Sequence, residues 1–257
     1  AMAKAPTPWW VDLYDDAVAD VLLQRGDPAE VDATVDFLVR ALELAPGARV
    51  FDQCCGIGTL AVPLAQRGVR VIGVEGSARY VERARAAALG LPCRFIVGDA
   101  FTFVPEEPCD GALCWGTSFG NAETDEDNLR MLQRAYEGLR PGRRFVLDYQ
   151  HVARLLGSFQ PSLIQHGPLQ PDGTRITLLR ESQLDLPRGV LAQRWTVLTP
   201  EGRRRETRSE VRLYLPHELL RLLRAAGFSD VDFFGDLHWG ALQERSPRCV
   251  VVARRPA

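Results

Sequence analysis

The sequence lacks several features that mark other classes of protein. Its 257 residues include six cysteines and four histidines, but no CxxC pair and no cluster at zinc-site spacing, so we expect no metal centre. No apolar run approaches the roughly 20 residues that span a membrane, and the amino terminus has no signal-peptide pattern. Cysteines in apolar runs are expected to stay reduced, so we predict a cytoplasmic protein without membrane contact.

Charge is too evenly balanced to indicate a nucleic-acid partner. The formal net charge is −2, which gives no electrostatic attraction to a polyanion. The densest basic run, Arg203-Arg204-Arg205, lies beside Glu201 and Glu206. We interpret this run as a solvated loop rather than as a phosphate-binding patch.

An aromatic segment lies near the amino terminus. Trp9, Trp10 and Tyr14 recur with apolar residues at helical spacing as far as Leu22. This spacing is typical of a helix packed on a core, and it also fits a lid over a ligand site, so both interpretations stay open. A second helix is predicted over 30–44, and residues 1–45 are expected to form a helical cap.

Strands and helices alternate over residues 46–150. Short apolar strands are predicted at 50–52, 69–74, 93–97, 111–115 and 144–149. One intervening helix is capped by Ser77, another begins at Asp125, and Pro141-Gly142 is predicted to turn the chain into the fifth strand. This alternation is the pattern of a doubly wound parallel sheet.

After the fifth strand the pattern changes. Residues 151–215 carry three extended segments, at 176–186, 191–198 and 208–213, separated by turns that contain proline and glycine. We predict an antiparallel β insertion here. Residues 216–257 add a helix and two closing strands, so the expected fold class is α/β with a seven-stranded, mostly parallel sheet.

The turn after the first strand indicates a nucleotide site. Asp52 ends that strand, Gly56 and Gly58 follow it, and Glu75 ends the next strand. Glycines let the backbone approach a ligand closely, and an acid at the next strand tip accepts hydrogen bonds from ribose hydroxyls. The glycines also satisfy the relaxed dinucleotide fingerprint, so this motif alone does not separate NAD from other adenosine ligands.

Two acids favour an adenosine ligand that carries a positive charge. Asp52 lies four residues before Gly56, where its carboxylate could meet a cationic amino group. Asp99 ends the third strand immediately before Ala100 and Phe101, a suitable place to bind an adenine amino group and cover the ring.

With these motifs the chain resembles the class I S-adenosylmethionine-dependent methyltransferases of the small-molecule type. The resemblance covers most of the chain and is carried by residues 50–58 (VFDQCCGIG), 73–77 (GVEGS), 98–100 (GDA), 139–143 (LRPGR) and 225–228 (AAGF). It implies a Rossmann-like methyltransferase fold, S-adenosylmethionine as cofactor and S-adenosylhomocysteine as product. It also implies that the β insertion is a substrate cap or dimer platform, in a monomer or a homodimer.

The resemblance assigns a cofactor role to residues at the strand tips. Cys54 stands where the family usually has its first glycine, and cysteine disfavours a positive φ. We expect Cys54 to keep an ordinary φ; the alternative is a shifted loop that binds the cofactor less tightly. The expected cofactor-binding residues are Asp52, Cys54, Gly56, Gly58, Glu75, Gly76, Asp99, Ala100, Phe101 and Trp115.

Candidates on the acceptor side include residues after the fifth strand, at the carboxyl edge where such sheets bind ligands. His151 is the leading candidate for a general base because imidazole titrates near neutral pH; the alternative is a surface or loop-capping histidine. Tyr14 resembles the amino-terminal tyrosine of related enzymes and is the second catalytic candidate. The expected substrate-binding residues are Trp10, Ser118, Phe119, Tyr149, His166, Arg212 and Tyr214.

The sequence thus predicts transfer of a methyl group to an O, N or C atom of a small metabolite. The loop after the fourth strand lacks an Asn-Pro-Pro-aromatic tetrad, which disfavours methylation of amides or exocyclic base nitrogens. The insertion lacks the basic, aromatic-rich face of enzymes that act on nucleic acid. Two alternatives stay open: a protein that binds the cofactor without transferring methyl, such as a cyclase or binding module, and an NAD-dependent oxidoreductase.

Overall fold

A computed structural model describes residues 8–23 and 27–257 of the chain. These residues form two compact units. The smaller unit joins the amino-terminal helices to Gln160–Glu210, and the larger unit comprises the remaining described residues up to Phe159 together with Val211–Ala257. Within the described ranges, no helix is both long and apolar enough to cross a membrane.

The bounds of the elements follow the predicted alternation. The described helices are α1 (Trp9–Leu13), α2 (Asp16–Leu22), α3 (Pro28–Ala41), α4 (Ala61–Gln66), α5 (Ala78–Ala87), α6 (Asp125–Glu137), α7 (Val152–Gly157) and α8 (Pro216–Ala225). The described strands are β1 (Arg49–Gln53), β2 (Arg70–Glu75), β3 (Cys93–Val97), β4 (Cys109–Cys114), β5 (Leu139–Tyr149), β6 (Ser162–His166), β7 (Thr177–Asp185), β8 (Val190–Leu198), β9 (Arg204–Arg212), β10 (Ser229–Phe234) and β11 (Cys249–Arg254).

The larger unit is built on a seven-stranded sheet with the strand order β10-β11-β5-β4-β1-β2-β3. Neighbouring strands from β3 across to β5 are parallel, whereas β11 runs antiparallel to both β5 and β10. The predicted doubly wound, mostly parallel sheet is therefore confirmed. The strand order reverses at β1, so a crevice is expected at the carboxyl ends of β1 and β4.

Successive residues of the central strands are buried on opposite faces of this sheet. Val50 of β1 belongs to a core formed with α3, α4 and α5, whereas its neighbour Phe51 belongs to a core formed with α6 and α8. Leu113 and Ala112 of β4 divide in the same way. Helices on both faces explain why these strands are apolar throughout rather than alternating.

Side-chain caps fix where α5 and α6 begin. Ser77 caps α5, as predicted, because its hydroxyl accepts a hydrogen bond from the backbone N–H of Tyr80 at 3.4 Å. Thr124 caps α6 by accepting from the N–H of Asp127 at 3.1 Å. The cap residue Ser77 stands two residues after Glu75 and α5 begins at the next residue, so the acid at the end of β2 is followed closely by a helix.

β5 begins earlier than predicted. Leu139 already pairs with β4, Arg144 pairs with it again, and residues 140–143 stand opposite Asp110 alone. The predicted turn at Pro141-Gly142 therefore lies inside the strand as an irregularity, where Gly142 has a φ of +77°. The turn-like backbone predicted at Pro141-Gly142 is therefore present, but the predicted start of β5 was wrong.

The smaller unit contains a four-stranded sheet with the order β6-β7-β8-β9. β7 pairs antiparallel with both β6 and β8. The predicted antiparallel insertion is confirmed, but sequence reasoning missed β6. The residues of β6 alternate between exposed and half-buried positions, so the strand carries no apolar run that the pattern could reveal.

The helices α1 and α2 pack with this sheet inside the smaller unit. Leu13 and Val18 are fully buried in one core with Leu178, Trp195 and Val197. Of the two interpretations of the aromatic segment, packing on a core is therefore observed. The core belongs to the β insertion rather than to the parallel sheet.

Arg205 holds the connection between α1 and α2. Its guanidinium lies 2.7 Å from the carboxylate of Asp15 and 3.4 Å from the carbonyl oxygen of Leu13. Arg204 and Arg205 belong to β9, so the prediction of a solvated loop at 203–205 was wrong. The pattern of charges near Arg205 did not reveal its partner Asp15, because the two residues are far apart in sequence.

Gly73 of β2 allows the turn after β1 to pack closely on the sheet. A Cβ atom at this position would lie 2.7 Å from Sγ of Cys55 and 2.8 Å from Cδ1 of Phe95. We expect Gly73→Ala to lower the free energy of unfolding by about 1–3 kcal/mol, because overpacking displaces side chains or backbone. Urea denaturation measures this difference. Gly157→Ala is the matched control, since nothing lies within 4 Å of a Cβ there, and equal stability of the two variants would contradict the packing argument.

Candidate active site

The carboxyl ends of β1 and β2 bring two of the predicted acids to neighbouring strand tips. The register pairs Asp52 with Gly73 and Gln53 with Val74. Glu75 is the next residue along β2 and its last. The turn after β1 therefore lies beside the end of β2, with the two carboxylates at the same edge of the sheet.

Glu75 connects this turn to the helix that follows β2. Its Oε2 accepts a hydrogen bond from the N–H of Gly56 at 3.1 Å, and its Oε1 accepts one from the N–H of Ser77 at 2.9 Å. Burial raises the pKa of Glu75, while backbone N–H groups, including those of Ser77 and Gly56, oppose the rise. A carboxylate oxygen has two acceptor sites, so Glu75 keeps the capacity to bind hydroxyl groups.

Asp52 is buried, with 3% of its surface exposed. Burial, reinforced by the negative charge of Glu75, raises the pKa of Asp52 to about 8. Neither carboxylate has a cationic partner in the described part of the chain. Buried carboxyl groups without a counter-ion are unfavourable, so this environment suits a ligand that carries positive charge.

Cys54 adopts a conformation that we did not expect. Its φ is +61°, so the prediction of an ordinary φ was wrong. Gly56 and Gly58 in the same turn have φ values of +56° and +82°. Cys54 therefore replaces glycine in conformation as well as in position, which costs about 1–2 kcal/mol for an L-residue. A hydrogen bond with Cys114 and burial raise the pKa of the Cys54 thiol, which disfavours a role as nucleophile.

Gln53, beside Asp52, is a residue that sequence reasoning missed. It is fully buried, and its Nε2 donates to the carbonyl oxygens of Ala100 at 3.2 Å and Met131 at 3.0 Å. Its Oε1 is buried without a hydrogen-bond partner. Gln53 thus ties the tip of β1 to the segment after β3 and to α6. A polar side chain at the end of an apolar strand was the available signal.

The predicted adenine-binding residues lie at the tip of β3, which pairs with β2. Asp99 is exposed, and its Oδ1 accepts from the N–H of Phe101 at 2.9 Å. Ala100 is buried, and Phe101 packs partly buried against the same core. Gly76 faces open space, because a Cβ there would meet nothing closer than the carbonyl oxygen of Gly98 at 3.9 Å. This edge of the sheet is therefore free of bulky side chains near Gly76.

The loop after β4 is held in an uncommon conformation by the end of β5. Gly116 and Thr117 have φ values of +82° and +62°, and the latter is strained for a β-branched residue. The N–H of Gly116 donates to Oδ2 of Asp148 at 3.2 Å, and the N–H of Thr117 donates to the carbonyl oxygen of Asp148 at 3.3 Å. Trp115 is buried with its indole Nε1 unpartnered, and Ser118 is half-buried. Strain of this kind clusters at functional sites.

A cavity of about 350 Å³ opens beside this loop, at the carboxyl end of β5. His151 forms part of its wall and is 6% exposed. Nε2 of His151 lies 2.8 Å from the carbonyl oxygen of Gln243. Because a carbonyl oxygen only accepts, Nε2 carries the hydrogen and Nδ1 keeps its lone pair. Nδ1 is buried without a partner, so the ring is both anchored to the backbone and equipped with a free basic nitrogen.

Three of the predicted acceptor residues form one buried aromatic cluster. The ring of Phe119 lies 5.9 Å from that of Tyr149 and 5.7 Å from that of Tyr214. The hydroxyl of Tyr149 donates to the carbonyl oxygen of Arg212 at 2.6 Å and accepts from the N–H of Tyr214 at 3.1 Å. Arg212 pairs with Asp125 at 2.7 Å. These polar groups are satisfied inside the larger unit, which favours a role in shaping the sheet edge.

The remaining predicted residues belong to the smaller unit. The ring of Trp9 lies 5.5 Å from that of Trp10 and 6.2 Å from that of Tyr14. His166 ends β6, and its Nδ1 lies 3.0 Å from the hydroxyl of Thr177. The catalytic role of Tyr14 and the substrate-binding roles of Trp10 and His166 stay predictions.

Comparison of sequences identifies the class of domain. Residues 50–142, which include the turn after β1, Glu75 and Asp99, match the family described as a methyltransferase domain. A stretch of 78 residues is 44% identical to the 23S rRNA uracil C5-methyltransferase RlmD of Thiobacillus denitrificans, and it covers 29% of this chain and 18% of RlmD. The chain thus spans less than a fifth of the length of the first curated relatives it matches.

Comparison of structures extends over nearly the whole chain. The CcbJ methyltransferase of Streptomyces caelestis matches with a TM-score of 0.76 and 23% identity, over 98% of this chain and 99% of CcbJ. The sugar N-methyltransferase KedS8 of a Streptoalloteichus species matches with a TM-score of 0.73 and 23% identity, over 100% of both chains. At this level of identity the likeness shows a shared fold.

The family match over residues 50–142 and the nearly full-length structural likeness therefore support a methyltransferase fold whose cofactor is S-adenosylmethionine. The described residues fit this ligand. Asp52 and Glu75 are carboxyl groups with raised pKa values and no cationic partner, and the cofactor is a cation. No group of three metal-binding side chains occurs among the described residues.

The raised pKa of Asp52 predicts how cofactor binding depends on pH. In the free protein the carboxyl is mostly protonated below about pH 8, whereas a bound cation favours the carboxylate, so binding releases a proton. We expect the affinity for S-adenosylmethionine to rise between about pH 6 and 7.5, by up to about tenfold per pH unit. Titration calorimetry at each pH measures this slope. Asp52→Asn cannot ionise and should bind more weakly with a flatter slope; an unchanged slope would refute the role of Asp52.

Two substitutions at Cys54 separate backbone strain from the contribution of the thiol. Cys54→Gly and Cys54→Ala both remove the hydrogen bond with Cys114, but only glycine is unstrained at a φ of +61°. We expect the glycine variant to be the more stable by about 1 kcal/mol. Urea denaturation midpoints at equal m-value give the difference. An alanine variant as stable as the glycine variant would show that residue 54 is not strained.

Proposed function

We propose that the chain transfers the methyl group of S-adenosylmethionine to an O, N or C atom of a small molecule. The extent of the structural likeness carries this proposal. CcbJ and KedS8 match along 98% and 100% of this chain, the β insertion included, whereas the rRNA enzyme RlmD matches along 29%. KedS8 is a sugar N-methyltransferase, so its substrate is a small molecule.

The cavity at the end of β5 supports an acceptor of this size. Its volume of about 350 Å³ lies at the lower end of the roughly 300–1,000 Å³ typical of small-molecule pockets. Its wall combines the apolar side chain of Leu155 with the polar side chains of Asp148, His151 and Arg248. A few polar groups in a small cavity are suited to orienting a metabolite.

On the cofactor side, the roles follow the chemistry of the strand tips. Asp52 and the turn at 54–58 would hold the methionine part, Glu75 would bind the ribose hydroxyls, and Asp99 with Ala100 would bind the adenine. When bound, S-adenosylmethionine supplies an electrophilic methyl group on a sulfonium. The protein therefore has to position the acceptor in line with that methyl, which lowers the barrier by about 7–11 kcal/mol at best.

On the acceptor side, His151 takes the proton that an O–H or N–H nucleophile loses. Nε2 is committed to the carbonyl oxygen of Gln243, so the proton goes to Nδ1. That atom has no partner in the protein, and protonation there breaks no existing hydrogen bond. A general base of this kind contributes about 10²–10⁴-fold.

The role of His151 predicts a loss of rate without a loss of cofactor binding. We expect His151→Gln to slow methyl transfer by about 10²–10⁴-fold and to leave the dissociation constant of S-adenosylmethionine within about twofold, since the ring lies in the acceptor cavity. Transfer of labelled methyl and calorimetry measure the two quantities. His217→Gln, on an exposed position of α8, is the matched control. An unchanged rate in His151→Gln would show that this histidine only anchors the loop.

A labelling experiment tests the function itself. The protein is incubated with methyl-labelled S-adenosylmethionine and a metabolite extract, and the labelled product is located by mass spectrometry. We expect the label in a small molecule. Label in added ribosomal RNA instead would contradict the proposed substrate class, and a product formed while the cofactor stays unconsumed would indicate a non-methylating enzyme. Failure of the folded protein to bind S-adenosylmethionine would contradict the proposal altogether.

A further inference from the structure

Arg180 places a guanidinium without a counter-ion on the sheet of the smaller unit. It lies on β7, directly opposite Leu163 of β6 and Trp195 of β8. Directly opposed residues of an antiparallel sheet project to the same face, so these three side chains share one face. Cζ of Arg180 lies 5.2 Å from the centroid of the Trp195 ring.

The absence of a partner distinguishes Arg180 from other arginines of this unit. Arg194 pairs with Glu181 at 2.6 Å, and Arg205 pairs with Asp15 at 2.7 Å. Within the described residues Arg180 has no ion pair, and desolvation alone lowers the pKa of its guanidinium. A half-buried cation without an anion is unfavourable, so the position of Arg180, on the face that also carries the apolar core of this unit, is complementary to a negative charge.

The ring beneath Arg180 is held in place. The indole Nε1–H of Trp195 donates to the hydroxyl of Ser209 at 2.8 Å. On the same face, Nε2 of Gln193 donates to the hydroxyl of Ser182 at 3.1 Å. A fixed aromatic surface helps to position the guanidinium that lies over it.

Gln165 supplies a second unsatisfied polar group on this face. It pairs with Leu178, two residues from Arg180 along β7, so its side chain is a diagonal neighbour of the guanidinium. The amide Oε1 of Gln165 is buried without a hydrogen-bond partner. Rotation of the amide by half a turn presents its NH₂ group at the same place, where an oxyanion would accept from it.

We propose that Arg180, with Trp195 and Gln165, forms a binding site for the oxyanion of a small molecule, a phosphate or a carboxylate. The fork of a guanidinium matches either group with two parallel hydrogen bonds. The cation–π contact strengthens in a partly desolvated site. The site lies wholly within the smaller unit, and its test does not require methyl transfer.

The indole N–H signal of Trp195 reports on this site in the full chain. The signal is assigned in ¹⁵N spectra by its loss in Trp195→Phe. The protein is then titrated with sodium phosphate and, separately, with sodium acetate, each against sodium chloride at equal ionic strength. We expect a saturable shift. Saturation with phosphate alone identifies a phosphate site, and saturation with acetate as well identifies a site that also takes carboxylates.

Three variants show whether Arg180 carries the binding. We expect Arg180→Gln to weaken phosphate binding at least about tenfold, and Arg180→Lys to weaken it less, because lysine keeps the charge but lacks the fork. Arg194→Gln, on the opposite face of the same sheet, is the matched control and should bind as the wild type does. If Arg180→Gln does not fold, Arg180→Lys decides. No saturation in the wild type, or unchanged affinity in the Arg180 variants, would overturn the proposal.

Discussion

Two carboxyl groups, the buried Asp52 and the half-buried Glu75, lie at adjacent strand tips with no cationic side chain among the described residues to neutralise them, and the site depends on this arrangement. The parallel register of β1 and β2 forces the two acids to the same edge. Burial at the tip of β1, reinforced by the negative charge of Glu75, raises the pKa of Asp52 to about 8. This electrostatic environment fits the cationic cofactor proposed for the site.

The turn that joins these acids shows how a departure from the usual glycine pattern is accommodated. Cys54 takes the left-handed conformation of the glycine it replaces, and Cys55 packs where Gly73 leaves room on β2. Cys55 and Gly73 are therefore linked, because a side chain at position 73 would collide with the thiol of Cys55. The strain at Cys54 is local and is held in place by well-packed surroundings, as is common near ligand sites.

Much of the larger unit was predictable because its signals are local. Apolar strands, the cap at Ser77 and the acids at strand tips follow from neighbouring residues in the sequence, and the mostly parallel sheet follows from the alternation of strands and helices. The features that were missed depend on contacts distant in sequence. Gln53 bonds to Met131, Arg205 bonds to Asp15, and the φ of Cys54 is set by the turn rather than by its own preference.

The two interpretations of His151, a loop anchor and a general base, are compatible. The hydrogen bond from Nε2 to Gln243 fixes the neutral tautomer in which Nδ1 has the lone pair, so anchoring the ring is what prepares it to accept a proton.

A related argument applies to the charged groups of the two units. Folding normally pairs or solvates charge, so the unpaired carboxyl groups at Asp52 and Glu75 and the guanidinium at Arg180 support the ligands proposed for them. The signs of these groups match the proposed ligands: a cation in the larger unit and an oxyanion in the smaller one.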